Sequence, residues 1–195
     1  ENLLDARTNN FILAMNRRSE RFGLAYLDIS TGIFRLTETT DSQRALEEAR
    51  RIDPREILLP ESSAPAYLQE AVARSFAERT VTYQESRYFD SARGRQQLRK
   101  LFNTLSLAGF GCENLDIGVG AAGALVHYLK ETQKQTVDHF AGIETYSIEG
   151  YLWIDEGSCR NLELLTNLQT GARRGSLLNV LDHSVTAMGA RRLRE

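Results

Sequence analysis

Cysteine is scarce. Cys112 and Cys159 are the two in 195 residues, they stand far apart, and neither belongs to a C-x-x-C pair. A disulfide framework and a cysteine-based zinc site are thereby excluded, and a reduced, cytoplasmic setting is the plain expectation. Histidine is as sparse: His127, His139 and His183 are too scattered to assemble a metal site at any familiar ligand spacing. No apolar run approaches the roughly 18 residues that a membrane span needs. The opening ENLLDARTNN has neither the basic flank nor the apolar stretch of a secretory signal. Charge of one sign is lacking too. The formal net charge is −2, so no global field draws the chain to nucleic acid or to an anionic membrane. No G-x-x-x-x-G-K-[ST] occurs, which removes a Walker phosphate loop. Positive charge is carried mostly by arginine, which favours paired or interface-facing cations over plain solubilisation. The chain starts without Met and stops at GARRLRE inside a helical pattern, so a piece of a longer protein is expected.

What is present changes character along the chain. NFILAM (10–15), FGLAYLDIS (22–30) and IFRLTE (33–38) alternate with a period of two, and Thr31-Gly32 marks a tight turn. An antiparallel meander is expected. A helix over DSQRALEEARRI follows, with Thr40 or Asp41 as N-cap and Pro54 as its stop. EILLP (56–60) is a short strand, Pro65 can open the next helix, and TVTYQ (80–84) is a further strand. Residues 1–89 therefore form an α/β domain with a mixed sheet covered by helices. From Asp90 the period is mostly helical. Helices are expected over 91–102, capped by Ser91, over 113–133, over 155–170 with Leu162, Leu165 and Leu168 inward, over 175–184 and from 186 on. A small hairpin is expected around Gly150. Residues 90–195 thus form an all-α segment.

GVGAAG (118–123) fits G-x-G-x-x-G and raises the question of a nucleotide loop. Such a loop leaves a strand and opens a helix, so that backbone N–H groups meet the phosphates. Here Leu115, Val119, Ala122, Val126 and Leu129 form one helical stripe that runs through the glycines. Glycine inside a helix costs about 1 kcal/mol relative to alanine, and the expected compensation is close approach of a neighbouring element.

Other residues invite chemistry. Asp28, on a strand of a mixed sheet, suits a metal-dependent nuclease of the ribonuclease H type. That chemistry needs several converging carboxylates, whereas Glu38, Glu47, Glu48, Asp53 and Glu56 fall on separate elements, and shaping the Ser30-Thr31-Gly32 turn is the simpler role. Ser158, Asp182 and His183 are a triad in composition but lack a nucleophile-elbow motif. Phe140, Tyr146, Tyr151 and Trp153 form an aromatic group that reads as core before it reads as a base-stacking platform. Arg173, Arg174, Arg191, Arg192 and Arg194 form a basic run that suits phosphates or, more simply, a solvated face or an inter-helix clamp.

Two stretches carry a family likeness. YLDISTGIFRLTE resembles the second domain of the MutS family of DNA mismatch-recognition proteins. LAGFG, AAGALVHYLKETQ and the stretch from Ile154 to Glu195 resemble the core of that family, in order. The specific pattern is Arg160, Asn161, Leu162, Glu163 and Leu164, then Ser176 through Leu193, with Leu181, Asp182, Thr186, Met188, Gly189 and Arg191 in place. Ala187 stands where the family usually has proline, and Ser184 where it usually has threonine. The resemblance implies a ribonuclease H-like connector domain (1–89) that is not a nuclease, followed by the start of a helical core and lever segment (90–195). It implies no catalytic, cofactor or metal residues in the chain itself; the parent protein would bind ATP and Mg, act as a homodimer on mismatched DNA, and dock MutL. Coupling mismatch binding to ATP state then falls to these residues. Gly109, Gly111, Gly171 and Gly175 are the candidate hinges, and Gln96 and Gln97 the candidate partner-docking surface.

Overall fold

The alternating apolar residues of the first forty positions form three antiparallel strands, β1 (Ile12–Arg18), β2 (Arg21–Asp28) and β3 (Ile33–Thr39). The computed structural model describes residues 10–61, 66–133, 140–150 and 154–194. They fall into two compact units, one built from Asn10–Gly150 and one holding 154–194.

In the first unit, α1 (Ser42–Ile52) opens at Asp41, whose carboxylate accepts the N–H groups of Gln43 and Arg44, and ends at a left-handed Asp53 just before Pro54. β4 (Glu56–Pro60), α2 (Ala66–Ser75) and β5 (Thr80–Gln84) come next. β4 lies parallel to β1, and β5 parallel to β4. α3 (Ser91–Leu101) is capped by Asp90 and not by Ser91, which is its first helical residue. After α4 (Asp116–Gln133), the two-residue β6 (Glu144–Thr145) pairs in parallel with β3. The sheet order is β5-β4-β1-β2-β3-β6.

Both sheet faces are covered, which is why the central strands β1, β2 and β4 are apolar on both sides. Leu13, Met15, Leu24, Tyr26, Ile57 and Leu59 pack with Ala45, Ala49 and Ile52 of α1, Val72 of α2 and Phe76 just after it. Ala14, Ala25, Leu27, Phe34 and Leu36 pack with Leu98, Val119, Ala122, Leu125 and Val126 of α3 and α4. This corrects the boundary expected near residue 89. The change of period there is a change from strands to helices inside one unit, because the stripe of α4 is buried on the same sheet. The hairpin expected around Gly150 is corrected too: β6 adds to the sheet edge in parallel, and 151–153 lie outside the described residues.

In the second unit the single helix expected over 155–170 is replaced by α5 (Glu156–Asn161) and a series of turns. Glu163 adopts a left-handed conformation (φ 49°), which breaks the helix. Asn167 Oδ1 then accepts the N–H groups of Gln169 and Thr170 and holds the next turn. Leu162, Leu165 and Leu168, expected inward, are 62%, 45% and 51% exposed. Two short helices complete the unit, α6 (Leu177–Leu181), capped by the fully buried Ser176, and α7 (Ala187–Arg194), with Thr186 Oγ1 accepting the Gly189 N–H. Among the described residues, no helix is long and apolar enough to cross a membrane.

Candidate functional site

The start of α4 is held by a carboxylate of the protein itself. Glu38, on the last residues of β3, accepts the N–H groups of Ile117 (2.7 Å) and Gly118 (2.9 Å) through Oε1, while Arg21 reaches Oε2 at 2.7 Å. The position where a phosphate would sit is thus taken by an anion from the neighbouring strand. The glycines of GVGAAG serve contact. A Cβ on Gly120 would lie 2.2 Å from the Phe89 carbonyl oxygen, one on Gly123 2.4 Å from Gly94 Cα, and one on Gly94 2.4 Å from the Val119 carbonyl oxygen. On the sheet side, a Cβ on Gly23 would meet the Gly118 nitrogen at 2.4 Å. α4 is therefore seated backbone-to-backbone against β2, α3 and the turn at Phe89, whose carbonyl oxygen also accepts from Asn16 Nδ2 at 3.0 Å. Gly23, Gly94 and Asn16 carry this junction and went unnoticed in the sequence, and Glu38 was weighed there only as an acid beside Asp28; residues on separate elements give no sign that they meet.

Asp28 is fully buried. Its Oδ1 accepts from the Ser30 N–H (2.7 Å) and hydroxyl (2.6 Å), and its Oδ2 from the Asn10 N–H (3.1 Å). The carboxylate shapes the turn between β2 and β3. The other acids named beside it are engaged elsewhere. Glu48 receives Arg51 and the Tyr146 hydroxyl, Asp53 receives Arg79, and Glu56 receives the hydroxyls of Thr82 and Tyr128. Burial, and then the Glu56 carboxylate, push the Tyr128 hydroxyl up to about 12. The carboxylates do not converge, and the nuclease reading is not favoured.

The Ser158–Asp182–His183 grouping is dissolved as well. The Ser158 hydroxyl donates to Asp155 Oδ2 at the start of α5, whereas Asp182 accepts from the Ser184 N–H and pairs with Arg173. Arg173 is thus engaged by a carboxylate of its own unit. The aromatic group also separates: Phe140 lies in the core beneath α4, Tyr146 in the one beneath α1, and Tyr151 and Trp153 lie outside the described residues.

One face of α3 remains open. Ala92, Arg93, Gln96, Arg99 and Lys100 are exposed. Gln97 differs from its neighbour: it is half-buried, and its Oε1 sits 3.6 Å from where a Cβ on Gly123 would be, without a hydrogen-bond partner. Arg95 turns to the side, donating to the Glu113 carbonyl (2.8 Å), to Glu113 Oε1 (3.2 Å) and to Asp116 (2.7 Å). Hydrogen bonds from the Ser106 hydroxyl and the Leu107 N–H, with Arg95 nearby, hold the Glu113 carboxyl below its ordinary range. At the N-terminal end of this face Tyr88 stacks on His127 with ring centroids 3.7 Å apart, and the guanidinium groups of Arg87 and Arg93 lie 5.0 and 5.3 Å from the Tyr88 ring. Burial, with Arg93 and Arg87 nearby, lowers the His127 pKa.

The four candidate hinge glycines occupy different settings. Gly109 sits in a helical turn (Ala108–Phe110) with open space around it, and Gly111 closes that turn in the left-handed region against Thr145. Gly171 (φ 65°) and Gly175 (φ 91°) flank the turn between α5 and α6. In the family motif beyond α5, the Leu177 N–H donates to the Glu163 carbonyl and the Leu178 N–H to the Leu164 carbonyl, so the two halves of the pattern meet through backbone hydrogen bonds. Arg160, Asn161, Leu181 and Met188 are exposed, Arg191 is half-buried, and Ser176 anchors α6 by donating to the Arg173 carbonyl.

Comparison with known proteins places these features. A family model described as MutS domain II matches residues 10–141, and one described as MutS domain III matches residues 158–195. The chain is 44% identical over 188 residues to the DNA mismatch repair protein MutS of Desulfatibacillum aliphaticivorans, covering 96% of this chain and 21% of that protein. It is 44% identical to MutS of Desulforapulum autotrophicum, over 100% of this chain and 22% of that protein. To MutS of Symbiobacterium thermophilum it is 41% identical, over 98% and 22%. The chain spans about a fifth of the length of these curated relatives.

Proposed function

The chain belongs to the MutS family of DNA mismatch-repair proteins, and on that premise we propose that it is a connector and core segment that transmits force and docks a partner without itself doing chemistry. One observation carries this. The two family models, 10–141 and 158–195, fall on the two compact units, so each unit corresponds to one structural piece of the family. The order β5-β4-β1-β2-β3, with β1 to β3 antiparallel and β4 and β5 parallel to β1, supports a ribonuclease H-like connector. Every acid first considered for nuclease chemistry beside Asp28 lies on an element apart from it, which favours a mechanical role.

Transmission requires elements that move as rigid bodies, and α4 suits this because its backbone is locked against β2, α3 and Phe89 with no room for sliding. In the full-length parent, a shift imposed by ATP would pass through such a body to the DNA grip, and the turns at Gly109–Gly111 and Gly171–Gly175 are the places to bend. MutL docking is assigned to the open face of α3 at Gln96, with Gln97 supporting from the α4 side. The test is full-length protein carrying Gly→Ala at the four hinge positions, with ATP-triggered release from mismatched DNA as the readout. Release rates unchanged from the parent's would defeat the hinge assignment. Gln96→Glu with a MutL binding assay tests the docking face separately.

A further inference from the structure

β5 ends the sheet. It pairs with β4 on one side, and among the described residues no strand pairs with its other side. Along a strand, the N–H and C=O of one residue point to one neighbour and those of the next residue to the other. The Thr80 N–H donates to the Arg55 carbonyl, and the Gln84 carbonyl accepts the Glu61 N–H. Thr80, Thr82 and Gln84 therefore face β4, while Val81 and Tyr83 turn their N–H and C=O groups outward. Among the described residues nothing bonds to those outward groups. The opposite edge, β6, is two residues long and offers no such row. Proteins commonly blunt a free edge with lysine, proline or a bulge. The β5 segment TVTYQ carries neither lysine nor proline, and its register with β4 runs unbroken.

We propose that this edge pairs with β5 of a second copy of the chain, antiparallel about a twofold axis at Thr82. Val81 of each copy then lies opposite Tyr83 of the other, and each such pair exchanges two backbone hydrogen bonds. The side chains fit the same register. Arg79 falls opposite Glu85, Thr80 opposite Gln84, and Val81 opposite Tyr83, each twice. Opposite charges, and an aromatic against a β-branched residue, are the favourable cross-strand pairs. Arg79, Val81, Tyr83 and Glu85 share one side of the strand by its period of two, so the charge pairs flank the apolar ones. Arg79 and Glu85 are exposed, and their present partners, Asp53 and Arg87, are surface pairs that bind them weakly. A shift of two residues either way puts Arg79 opposite Tyr83 or Arg87 and leaves its charge unmatched. The chain thus supplies its own complementary strand, which favours a second copy over an unrelated extended segment. This contact is independent of the docking assigned to α3.

Sedimentation equilibrium of the 195-residue chain, from micromolar to millimolar concentration, tests this. A weak, reversible dimer is expected, because two short strands bury little surface. Val81→Pro removes an outward N–H while keeping the ladder to β4, and should abolish the dimer. Arg79→Glu and Glu85→Arg each set like charges opposite one another and should each weaken it about tenfold. An equal mixture of those two variants, and the double variant, restore opposite charges and should associate as the parent does. Arg18→Glu, an exposed cation at the end of β1, should change nothing. The charge variants stand at exposed positions, so they decide the matter if Val81→Pro fails to fold by circular dichroism. A chain that stays monomeric at millimolar concentration overturns the proposal. A dimer indifferent to the edge variants overturns it too and assigns association to another surface. Weakening by the single variants without recovery in the mixture rules out the antiparallel register. A monomeric chain that binds a peptide of residues 79–85 overturns the second copy and leaves the edge to an extended segment.

Discussion

The Glu38 carboxylate accepts the Gly118 backbone N–H at 2.9 Å, joining the end of β3 to the start of α4 across 80 residues of chain. The side chain is 4% exposed, whereas its partner Arg21 is 53% exposed. The hydrogen bonds to the helix start therefore matter more than the exposed ion pair. Glu38→Ala should cost about 1–2 kcal/mol, as loss of a helix cap does. Glu38→Gln keeps an acceptor and should cost less. Urea unfolding checks both, and a midpoint for Glu38→Ala equal to the parent's would refute the capping role.

Strands and most helices of the first unit were legible because their patterns are local. The alternation in FGLAYLDIS and IFRLTE, the 4-3-4-3 stripe from Leu115 to Leu129, and the stop at Pro54 are each read within a dozen residues. What was not legible is long-range. Nothing near Gly94 announces that it faces Val119, and nothing in β3 announces that Glu38 ends on α4. The boundary near 89 failed for the same reason, since a change of period cannot say which layer the next helix joins. In the second unit the leucine spacing of 162, 165 and 168 suggested a helix, but the left-handed Glu163 and the Asn167 turn break it. Spacing alone does not supply the buried partner that holds a helix.

Glycine contacts give a graded prediction. A methyl on Gly120 meets a carbonyl oxygen at 2.2 Å, and one on Gly94 meets another at 2.4 Å, with backbone that cannot swing aside. Gly94→Ala and Gly120→Ala should each destabilise by about 1–3 kcal/mol or more, as overpacking does, despite alanine's better helix propensity. Gly118→Ala, whose nearest contact is the flexible Leu36 side chain at 3.1 Å, should be milder. Thermal unfolding of the three variants ranks them, and a stabilised Gly120→Ala would contradict the packing described.

Asp28 should behave as a structural residue. Asp28→Asn preserves its size but replaces one acceptor oxygen by a donor, which faces the donors of Ser30 or Asn10. A loss of about 1–3 kcal/mol is expected, the cost of a buried polar group left unsatisfied. Incubating parent and variant with labelled nucleic acid and Mg²⁺ or Mn²⁺ should give the same background in both. Cleavage by the parent that disappears in Asp28→Asn would restore the nuclease reading.

His127 predicts a pH response. Its folded pKa lies below the ordinary value of 6.5, because burial and the nearby Arg93 and Arg87 oppose the proton more than Glu131 and Glu85 attract it. The unfolded state then binds more protons between the depressed folded pKa and about 6.5, so stability falls as pH drops through that window. His127→Gln removes this contribution. The gap in urea midpoint between pH 7.5 and pH 5 should be smaller in His127→Gln than in the parent, and an unchanged gap would show that the imidazole does not titrate against folding.

The hinge glycines should separate by backbone conformation. Gly171 and Gly175 have φ of 65° and 91°, which side chains rarely adopt, whereas Gly109 is not in that region and has open space around it. Gly171→Ala and Gly175→Ala should therefore each cost about 1 kcal/mol in stability, while Gly109→Ala should be neutral or slightly stabilising. The difference makes Gly109 the cleaner probe of bending: it alters the freedom of the turn without straining the fold. In full-length protein, slower ATP-triggered release from mismatched DNA in Gly109→Ala, at unchanged unfolding midpoint, would assign the effect to motion at that turn. The same slowing confined to Gly171→Ala and Gly175→Ala, alongside lowered midpoints, would trace it to lost stability.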